Sequence, residues 1–396
     1  MDKIEEVLTR GVDKIYPTRE GLEKVLRSDK KLTLYQGFDP TGTQLHIGHM
    51  TGLMKLRQFQ NLGHKVIFLI GDGTGQAGDP SGKTKARDKF FTRDELRKNA
   101  IDYVKQASKI VRFEGENAAE IKYNSDWLNK LSLPEILDLI GHVSWQQLAE
   151  RDLFQERIKS GETLNLREAI YPLLQGYDSV AMKVDLEIGG SDQTFNMLIG
   201  RQLVKDYLNK EKFVLTTSLL TDSDGKKIGK TEGNVTAITA PANDLYGMVM
   251  SLGDDVIAKC FENLTEISMA KVREMEKKIQ AGKNPMVFKK QLAFELTKML
   301  NDEKAAQGAQ ENFEKTVQSG EMPTDIPTFK VTASKQLLDI IVEANLVTSK
   351  SEARRLVEQG AVEVDGKKVR ENLELSPTDG TIIKAGKRKF IKLIVN

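Results

Sequence analysis

Residues 31–70 read KLTLYQGFDPTGTQLHIGHMTGLMKLRQFQNLGHKVIFLI. Within them Lys31–Phe38 reads as a β-strand and residues 46–62 as a helix. The helix has apolar residues at Ile47, Met50, Leu53, Leu56, Phe59 and Leu62, one every three positions. On a helix of 3.6 residues per turn that stripe drifts around the axis, so burial on more than one side is expected. Gly63 suits the position just past the C-terminus. Lys65–Ile70 (KVIFLI) is the near-continuous apolar run of a strand inside a parallel sheet. Strand, helix, strand is a βαβ unit, and the fold class it implies is α/β.

The pattern continues outward. Residues 1–225 alternate strand-like and helix-like stretches, with Asp185–Gly189 as a further strand and Thr194–Leu208 as a further helix. After about residue 240 the strands stop. Residues 241–320 are Lys/Glu-rich and helix-forming, and Gln318–Phe329, with two prolines and a glycine, reads as a linker. A small unit comes next. Ser334–Ala344 and Ser349–Gln359 suit two short helices, with Ser349 and Glu352 placed for a capping box. Asp365-Gly366 between two strand-like runs in Ala361–Arg370 signals a hairpin. Thr381–Val395 can supply a second strand pair.

Hydrophobic residues make up 39% of the 396, charged residues 29% and aromatics 6%. That composition excludes disorder and suits a globular protein of two or three domains. No apolar run reaches the ~18 residues of a membrane span, and the start, Met-Asp-Lys-Ile-Glu-Glu, is too charged for a secretion signal. A cytoplasmic location is expected, with no membrane partner. One cysteine, Cys260, excludes an intrachain disulfide framework and a multi-cysteine zinc site. The net charge is +2 but unevenly placed. Residues 330–396 hold 13 Lys and Arg against 9 Asp and Glu, so they carry +4 and the remainder −2.

Two motifs carry chemistry. His46-Ile47-Gly48-His49 opens a helix directly after a strand and a Pro-Thr-Gly turn. A helix N-terminus offers unpaired N–H groups and positive dipole character, which suit phosphate. His46 and His49, three apart, share one face, Gly48 leaves room for a base or ribose, and Asp39 and Thr41 add polar groups. A structural pair or a metal site remains an alternative for His-x-x-His alone. The second motif is Asp224–Asn234 (DGKKIGKTEGN), where Lys227 and Lys230 flank a glycine. Ammonium groups on a Gly-rich loop suit a reacting polyphosphate; in isolation the loop also reads as a solvated basic surface.

Together, in this order and some 180 residues apart, the two motifs resemble the paired signature of the class I aminoacyl-tRNA synthetases. Further residues narrow the resemblance. Tyr171, Gln175 and Asp178 are spaced i, i+4, i+7, on one stripe of a helix. Asp79 sits in Gly-Asp-Pro-Ser-Gly (78–82), and Gly-Gly-Ser-Asp-Gln (189–193) is a glycine-rich turn after a strand. Singly these read as a surface face and ordinary turns. As a set they resemble the bacterial tyrosyl-tRNA synthetases over essentially the whole chain.

The resemblance implies a Rossmann-like catalytic domain at 1–225, the Lys-Gly-Lys loop with a helical anticodon-binding domain at 226–325, and a small α+β, ribosomal-protein-like RNA-binding domain at 330–396. It implies that Tyr35 and Asp178 hold the substrate phenol hydroxyl. Asp79, Tyr171 and Gln175 would hold its ammonium group, with Gln193 near its carboxylate. Gly37, Asp39, Gly190 and Asp192 would line the ribose and α-phosphate region of ATP. Thr41 and His46 would hold the terminal phosphate, with Lys83, Arg87, Lys227 and Lys230. Gly48, His49 and Thr231 complete the ATP site, and the catalytic groups are His46, His49, Lys83, Arg87, Lys227 and Lys230. Arg354, Arg355, Lys367 and Lys368 are the RNA-binding candidates, with salt-sensitive phosphate contacts. The implied ligands are tyrosine, ATP with Mg²⁺ carried on its phosphates, and tyrosine tRNA; the implied assembly is a homodimer. No tightly bound cofactor or structural metal is expected.

A hydroxyl held by both a tyrosine and an aspartate is fully satisfied, whereas phenylalanine would leave both unpaired; tyrosyl-tRNA synthetase is itself the standard case of this discrimination. No insert between residues 80 and 170 is large enough for an editing domain. Three details depart from or complicate the pattern. Ile228-Gly229 stands where many class I members have Met-Ser, Lys226 beside Lys227 leaves the lysine register open by one, and Asp192–Asn196 (DQTFN) lacks the tryptophan of some relatives. The competing functions are a tryptophan-activating synthetase, a non-catalytic RNA-binding protein on a synthetase scaffold, and a nucleotidyltransferase.

Overall fold

The computed structural model describes residues 2–81, 89–221, 230–231, 234–235, 237–318, 326–331, 334–347, 349–375, 380–386 and 389–395. Two compact units emerge, residues 1–241 with 248–302, and residues 242–247 with 303–396.

The first unit is built on a six-stranded sheet. Its strands are β1 (Val12–Tyr16), β2 (Thr33–Phe38), β3 (Lys65–Ile70), β4 (Glu120–Tyr123), β5 (Leu186–Gly190) and β6 (Phe213–Thr217), in the order β1-β6-β5-β2-β3-β4. All neighbours are parallel except β1 and β6. The expected strands at 31–38 and 185–189 are thus present with their starts trimmed. β3 buries five of its six residues, as its apolar run requires.

Helix α1 (Ile47–Asn61) crosses from β2 to β3, and its buried residues include Ile47, Met50, Leu53, Leu56 and Phe59 together with Thr51, Met54 and Lys55. The drifting stripe therefore does bury more than one side. Buried Lys55 Nζ donates to the carbonyls of Val7 at 2.8 Å and Arg10 at 2.6 Å and to Gln58 Oε1 at 2.7 Å, yet burial, then the Arg10 charge, still pushes its pKa down to about 7. Arg10 in turn donates to the carbonyl oxygens of Glu262, Phe261 and Thr265, tying the N-terminal segment to the helix Ile257–Leu264. That helix and its successors Met269–Gln280 and Pro285–Leu300 bear out the helical reading of this stretch.

The strand order reverses at β2, whose next strand in sequence lies on one side and β5 on the other. Such a switch point leaves a crevice beyond the carboxyl ends of the strands. The other helices of this unit include α2 (Leu133–Gly141), α3 (Leu166–Ala181) and α4 (Thr194–Leu208). α3 starts at an Asn165 cap with a reciprocal Glu168 partner. Its Leu173 and Val180 pack with Ile199, Leu203 and Val204 of α4 in one core cluster.

The second unit holds a five-stranded sheet, ordered Lys367–Val369, Val362–Val364, Ile382–Ala385, Lys389–Val395 and Thr328–Val331. Helices Leu337–Glu343 and Lys350–Glu358 pack on it, and Ser349 Oγ accepts from the Glu352 N–H at 3.2 Å. The Asp365-Gly366 hairpin is present, both residues having positive φ (46° and 76°) as a primed turn demands. One expectation fails here. Thr328 and Phe329, read as linker, belong to a strand that pairs in parallel with the last strand of the chain, and Phe329 packs on the core. Two prolines nearby hide a strand whose partner lies some sixty residues downstream. Residues 319–325 of that expected linker lie outside the described residues.

His64, between α1 and β3, is buried at 3% exposure, and its Nδ1 accepts the Leu32 N–H at 3.3 Å. Burial, then the nearby Lys31 charge, holds its pKa below the usual 6.5. The folded chain therefore binds fewer protons than the unfolded one just below pH 6.5, and stability falls as pH drops through that window. The urea-unfolding midpoint should decline between about pH 7.5 and about pH 5.5, and decline less in His64→Asn, which keeps an acceptor for Leu32. Equal declines in the two proteins would remove His64 from this role.

Candidate active site

A cavity of about 370 Å³ opens at the switch point. β2 contributes Tyr35 and Gly37 and β5 Gly190; the turn after β2 adds Asp39 and Thr41, α1 and its cap add His46, Gly48 and His49, α3 adds Tyr171, Gln175 and Asp178, and the loops add Asp79, Asp192 and Gln193. These fourteen expected residues, from segments up to ~150 positions apart in sequence, line one space. Lys83, Arg87 and Lys227 lie outside the described residues, and Lys230 and Thr231 are described only as a two-residue strand paired with Asn234–Val235. The chain on either side of that loop nevertheless has a place. Leu219 and Leu220 line the cavity before it, and after it Ile238 donates its N–H to the Leu45 carbonyl at 3.0 Å while Ala237 bridges to His46.

His46 is the N-cap of α1 rather than its first helical residue. Its Nδ1 accepts the Gly48 N–H at 3.1 Å, and His49 Nδ1 accepts the His46 N–H at 3.0 Å. The rings lie 3.8 Å apart between centroids. With both Nδ1 atoms accepting, each neutral ring carries its proton on Nε2, a donor suited to an anion. A Cβ at Gly48 would stand 2.9 Å from His46 Cε1 and Nδ1. The room that Gly48 leaves is therefore first of all room for the His46 ring.

The polar side chains form a chain of hydrogen bonds. Asp39 accepts from Thr74 Oγ1 at 2.7 Å and from the Tyr171 hydroxyl at 2.9 Å. Thr74 accepts from Asn124, and Asn124 also donates to Asp178 at 3.0 Å. The second Asp178 oxygen accepts the Trp127 indole N–H at 2.8 Å. Burial raises the Asp178 pKa well above the carboxylate range, opposed by these two donors. The Asn124 and Trp127 N–H groups take one lone pair on each oxygen, and the group keeps further lone pairs for the cavity it lines. Across the cavity Gln193 donates to Asp79 at 2.8 Å, and Asn196 donates to Gln193 and to Gln175. Gln175 donates to Glu187 at 2.9 Å. The expected stripe Tyr171, Gln175, Asp178 does face the cavity, while Leu173 and Val180 turn to the core.

Sequence reading missed Thr74, Asn124, Trp127, Ser179, Glu187, Asn196 and Lys212. The strongest signal among them is Glu187, an acid inside the otherwise apolar strand Leu186–Gly190. It forms a buried ion pair with Lys212, the residue before β6, at 2% and 0% side-chain exposure. Tyr35 sits directly opposite Glu187 in the β2–β5 register. Its phenol is pushed well above the usual range by burial, then by Glu187 and Asp178, and stays protonated.

Among the described residues no group of His, Cys, Asp and Glu could hold a metal ion, and no helix is long and apolar enough to cross a membrane. Of the RNA candidates, Arg354 and Arg355 are exposed on Lys350–Glu358, and Lys367 and Lys368 are exposed on the hairpin.

In comparison with known proteins, residues 27–318 match the family model of tRNA synthetases class I (W and Y), and residues 318–393 match that of the tyrosine–tRNA ligase SYY-like C-terminal domain. The chain is 42% identical to a tyrosine–tRNA ligase of Desulfotalea psychrophila, with 98% of this chain and 97% of that one aligned. It is 37% identical to a tyrosine–tRNA ligase of Thermotoga maritima, with 98% and 96% aligned. A C-terminally truncated mitochondrial tyrosyl-tRNA synthetase of Coccidioides posadasii superposes with TM-score 0.64 at 26% identity, over 78% of this chain and 91% of that one.

Glu187→Gln would leave Lys212 buried without its counter-charge. A loss of about 3 kcal/mol of unfolding free energy is expected by urea titration; a loss below about 1 kcal/mol would show that the pair is not buried in solution.

Proposed function

This chain belongs to the class I tRNA synthetases of the W and Y family, and from that membership we propose that it is a tyrosine–tRNA ligase. It activates L-tyrosine with ATP to tyrosyl-adenylate and pyrophosphate, then transfers the tyrosyl group to the 3′ end of tyrosine tRNA. The observation that carries the ATP half is the return of the chain beside Leu45 and His46 directly after the Lys-Gly-Lys loop. The observation that carries the choice of tyrosine is a polar end to the cavity, with Tyr35 and Asp178 both lining it. That arrangement disfavours tryptophan, whose single indole N–H gives nothing to a second donor.

The residues derive a mechanism without a protein nucleophile. The phenol hydroxyl lies between Tyr35 and Asp178. The Tyr171 oxygen, its proton already given to Asp39, accepts from the substrate ammonium beside Asp79 and Gln175. Gln193 lies near the carboxylate. That carboxylate attacks the α-phosphorus in line and pyrophosphate leaves. Positioning and stabilisation of charge on the phosphates supply the catalysis. The α1 N-terminus, the Nε2 protons of His46 and His49, and Thr41 meet the phosphates, with Lys83, Arg87, Lys227, Lys230 and Thr231 joining them. The ribose lies by Gly37, Asp39, Gly190 and Asp192. Gln36 Oε1 and Thr51 Oγ1, buried cavity-lining atoms without partners among the described residues, are ready acceptors and donors for the nucleotide. Mg²⁺ arrives on the phosphates of ATP as part of the substrate.

The C-terminal unit, with Arg354, Arg355, Lys367 and Lys368 exposed, takes the tRNA, and the helical region after the loop reads its anticodon. The enzyme works in the cytoplasm. Its assembly is a homodimer, supported by α2, where Leu133, Ile136, Leu137 and Ile140 are exposed at i, i+3, i+4, i+7 with Trp145 beyond them.

Two experiments test this reading. ATP–pyrophosphate exchange with each of the twenty amino acids should proceed with tyrosine alone. In Asp178→Asn, exchange with tyrosine should fall by a factor of about 100 or more, and with phenylalanine far less. Exchange with no amino acid would sink the enzymatic reading; equal losses would remove Asp178 from the phenol. Sedimentation should find a dimer, and Leu137→Asp with Ile140→Asp a monomer; a monomeric parent chain rules the dimer out.

A further inference from the structure

Behind the phenol end of the cavity lies a second layer of polar side chains. The Lys212 ammonium has three N–H groups and three acceptors. They are Ser179 Oγ at 2.7 Å, the Met197 carbonyl at 3.4 Å, and a Glu187 oxygen in the ion pair already described. The slot is built for this ammonium. A Cβ at Gly200 of α4 would come within 2.6 Å of Lys212 Nζ and 3.2 Å of Ser179 Oγ. Ser179 Oγ lies 2.9 Å from the Tyr35 hydroxyl and 3.3 Å from Glu187. The Tyr35 hydroxyl also reaches the Gln175 carbonyl, at 3.5 Å, and a hydrogen bond links it to Glu187 as well.

Counting protons gives this chain a direction. Lysine can only donate, so Ser179 Oγ must accept from Lys212. The serine has one proton, and its nearer partner is Tyr35 rather than Glu187, whose two oxygens already receive Lys212 and Gln175. A Tyr35 oxygen that accepts from Ser179 keeps its own proton for another partner; the 3.5 Å bond to Gln175 holds that proton weakly, and Glu187, already receiving Lys212 and Gln175, is a shared acceptor for it. Asp178, both oxygens engaged by N–H donors, faces the same space as an acceptor.

We propose that Lys212 and Ser179 are positioning residues that set the polarity of the Tyr35 hydroxyl, so that the pocket offers one donor and one acceptor to the para substituent of the substrate. This rests on the reading of tyrosine as substrate and deepens it. A phenol hydroxyl accepts one proton and donates one, which matches Tyr35 and Asp178 together. A para-amino group donates two and accepts poorly, and is refused by the Tyr35 proton. Without the relay Tyr35 can turn its proton to another partner and present lone pairs, and the amine becomes acceptable.

The test is pyrophosphate exchange with tyrosine, phenylalanine and 4-aminophenylalanine in the parent chain, Ser179→Ala, and the charge-free pair Lys212→Met with Glu187→Gln. Ser179→Ala leaves the ion pair in place. The parent should prefer tyrosine to the 4-amino analogue. In both variants the ratio of kcat/KM for the two should fall about tenfold, one hydrogen bond's worth, through KM with little change in kcat. A parent inactive with tyrosine overturns the substrate reading itself. A parent active with tyrosine, with an unchanged tyrosine-to-4-amino ratio in the variants, overturns the relay alone. So does an equal loss on all three substrates through kcat, the mark of general damage to the pocket. If one variant fails to fold, the other decides.

Discussion

The molecule depends on one topological constraint. A parallel sheet whose order turns back at β2 sends its connections away on opposite sides, and no crossover covers the carboxyl ends of β2 and β5. Those ends are lined by backbone and by whatever the adjoining turns supply. Here the turn after β2 leads to the N-terminus of α1 on one side, and β5 itself ends in Gly189-Gly190 on the other. The helix end brings positive dipole potential, while the His46, Gly48 and His49 N–H groups are already taken within the cap. The proposed phosphate site thus falls where the fold leaves an opening. The long excursion at residues 222–236 starts and ends at the same opening, between cavity-lining Leu220 and the bridge from Ala237 to His46.

The opening is polar, and the interior beneath it is not. Every polar group drawn into it must find a partner or cost free energy. Asp39, Asp178 and Glu187 all sit at or below the floor, and three like charges there would repel one another. The structure answers with donors of graded strength: Thr74 and Tyr171 for Asp39, Asn124 and Trp127 for Asp178, and an ammonium for Glu187. Glu187, on the central strand β5, takes a full counter-charge. The same bonds hold Tyr171, Gln175 and Asp178 in single orientations before any ligand arrives, which lowers the ordering cost of binding. The proposed specificity and the stability of the fold therefore draw on one set of contacts.

Much of this was legible from local pattern. The βαβ unit at 31–70 was readable because strands and helices bury residues with different periods. The Tyr171, Gln175, Asp178 stripe was readable because helical spacing makes i, i+4, i+7 neighbours whatever the rest of the chain does. The Asp365-Gly366 hairpin was readable because few residues tolerate positive φ. Thr328–Val331 was not, since a short strand beside prolines carries no sign of a partner at 392–395.

The residues that the sequence by itself marked as candidates were those whose chemistry repeats at fixed spacing: His46 with His49, Lys227 with Lys230, and the helical stripe. Asn124, Trp127, Ser179 and Lys212 were invisible because nothing local distinguishes a buried donor from a surface one. Only the tertiary structure decided that Trp127 meets Asp178 fifty-one residues on and that Lys212 meets Ser179 thirty-three residues back. The physical reason is that a chain declares its periodicities in order along its length, whereas the partner of a buried charge is chosen by whichever segment the sheet register brings alongside it, as β5 brings Glu187 opposite Tyr35.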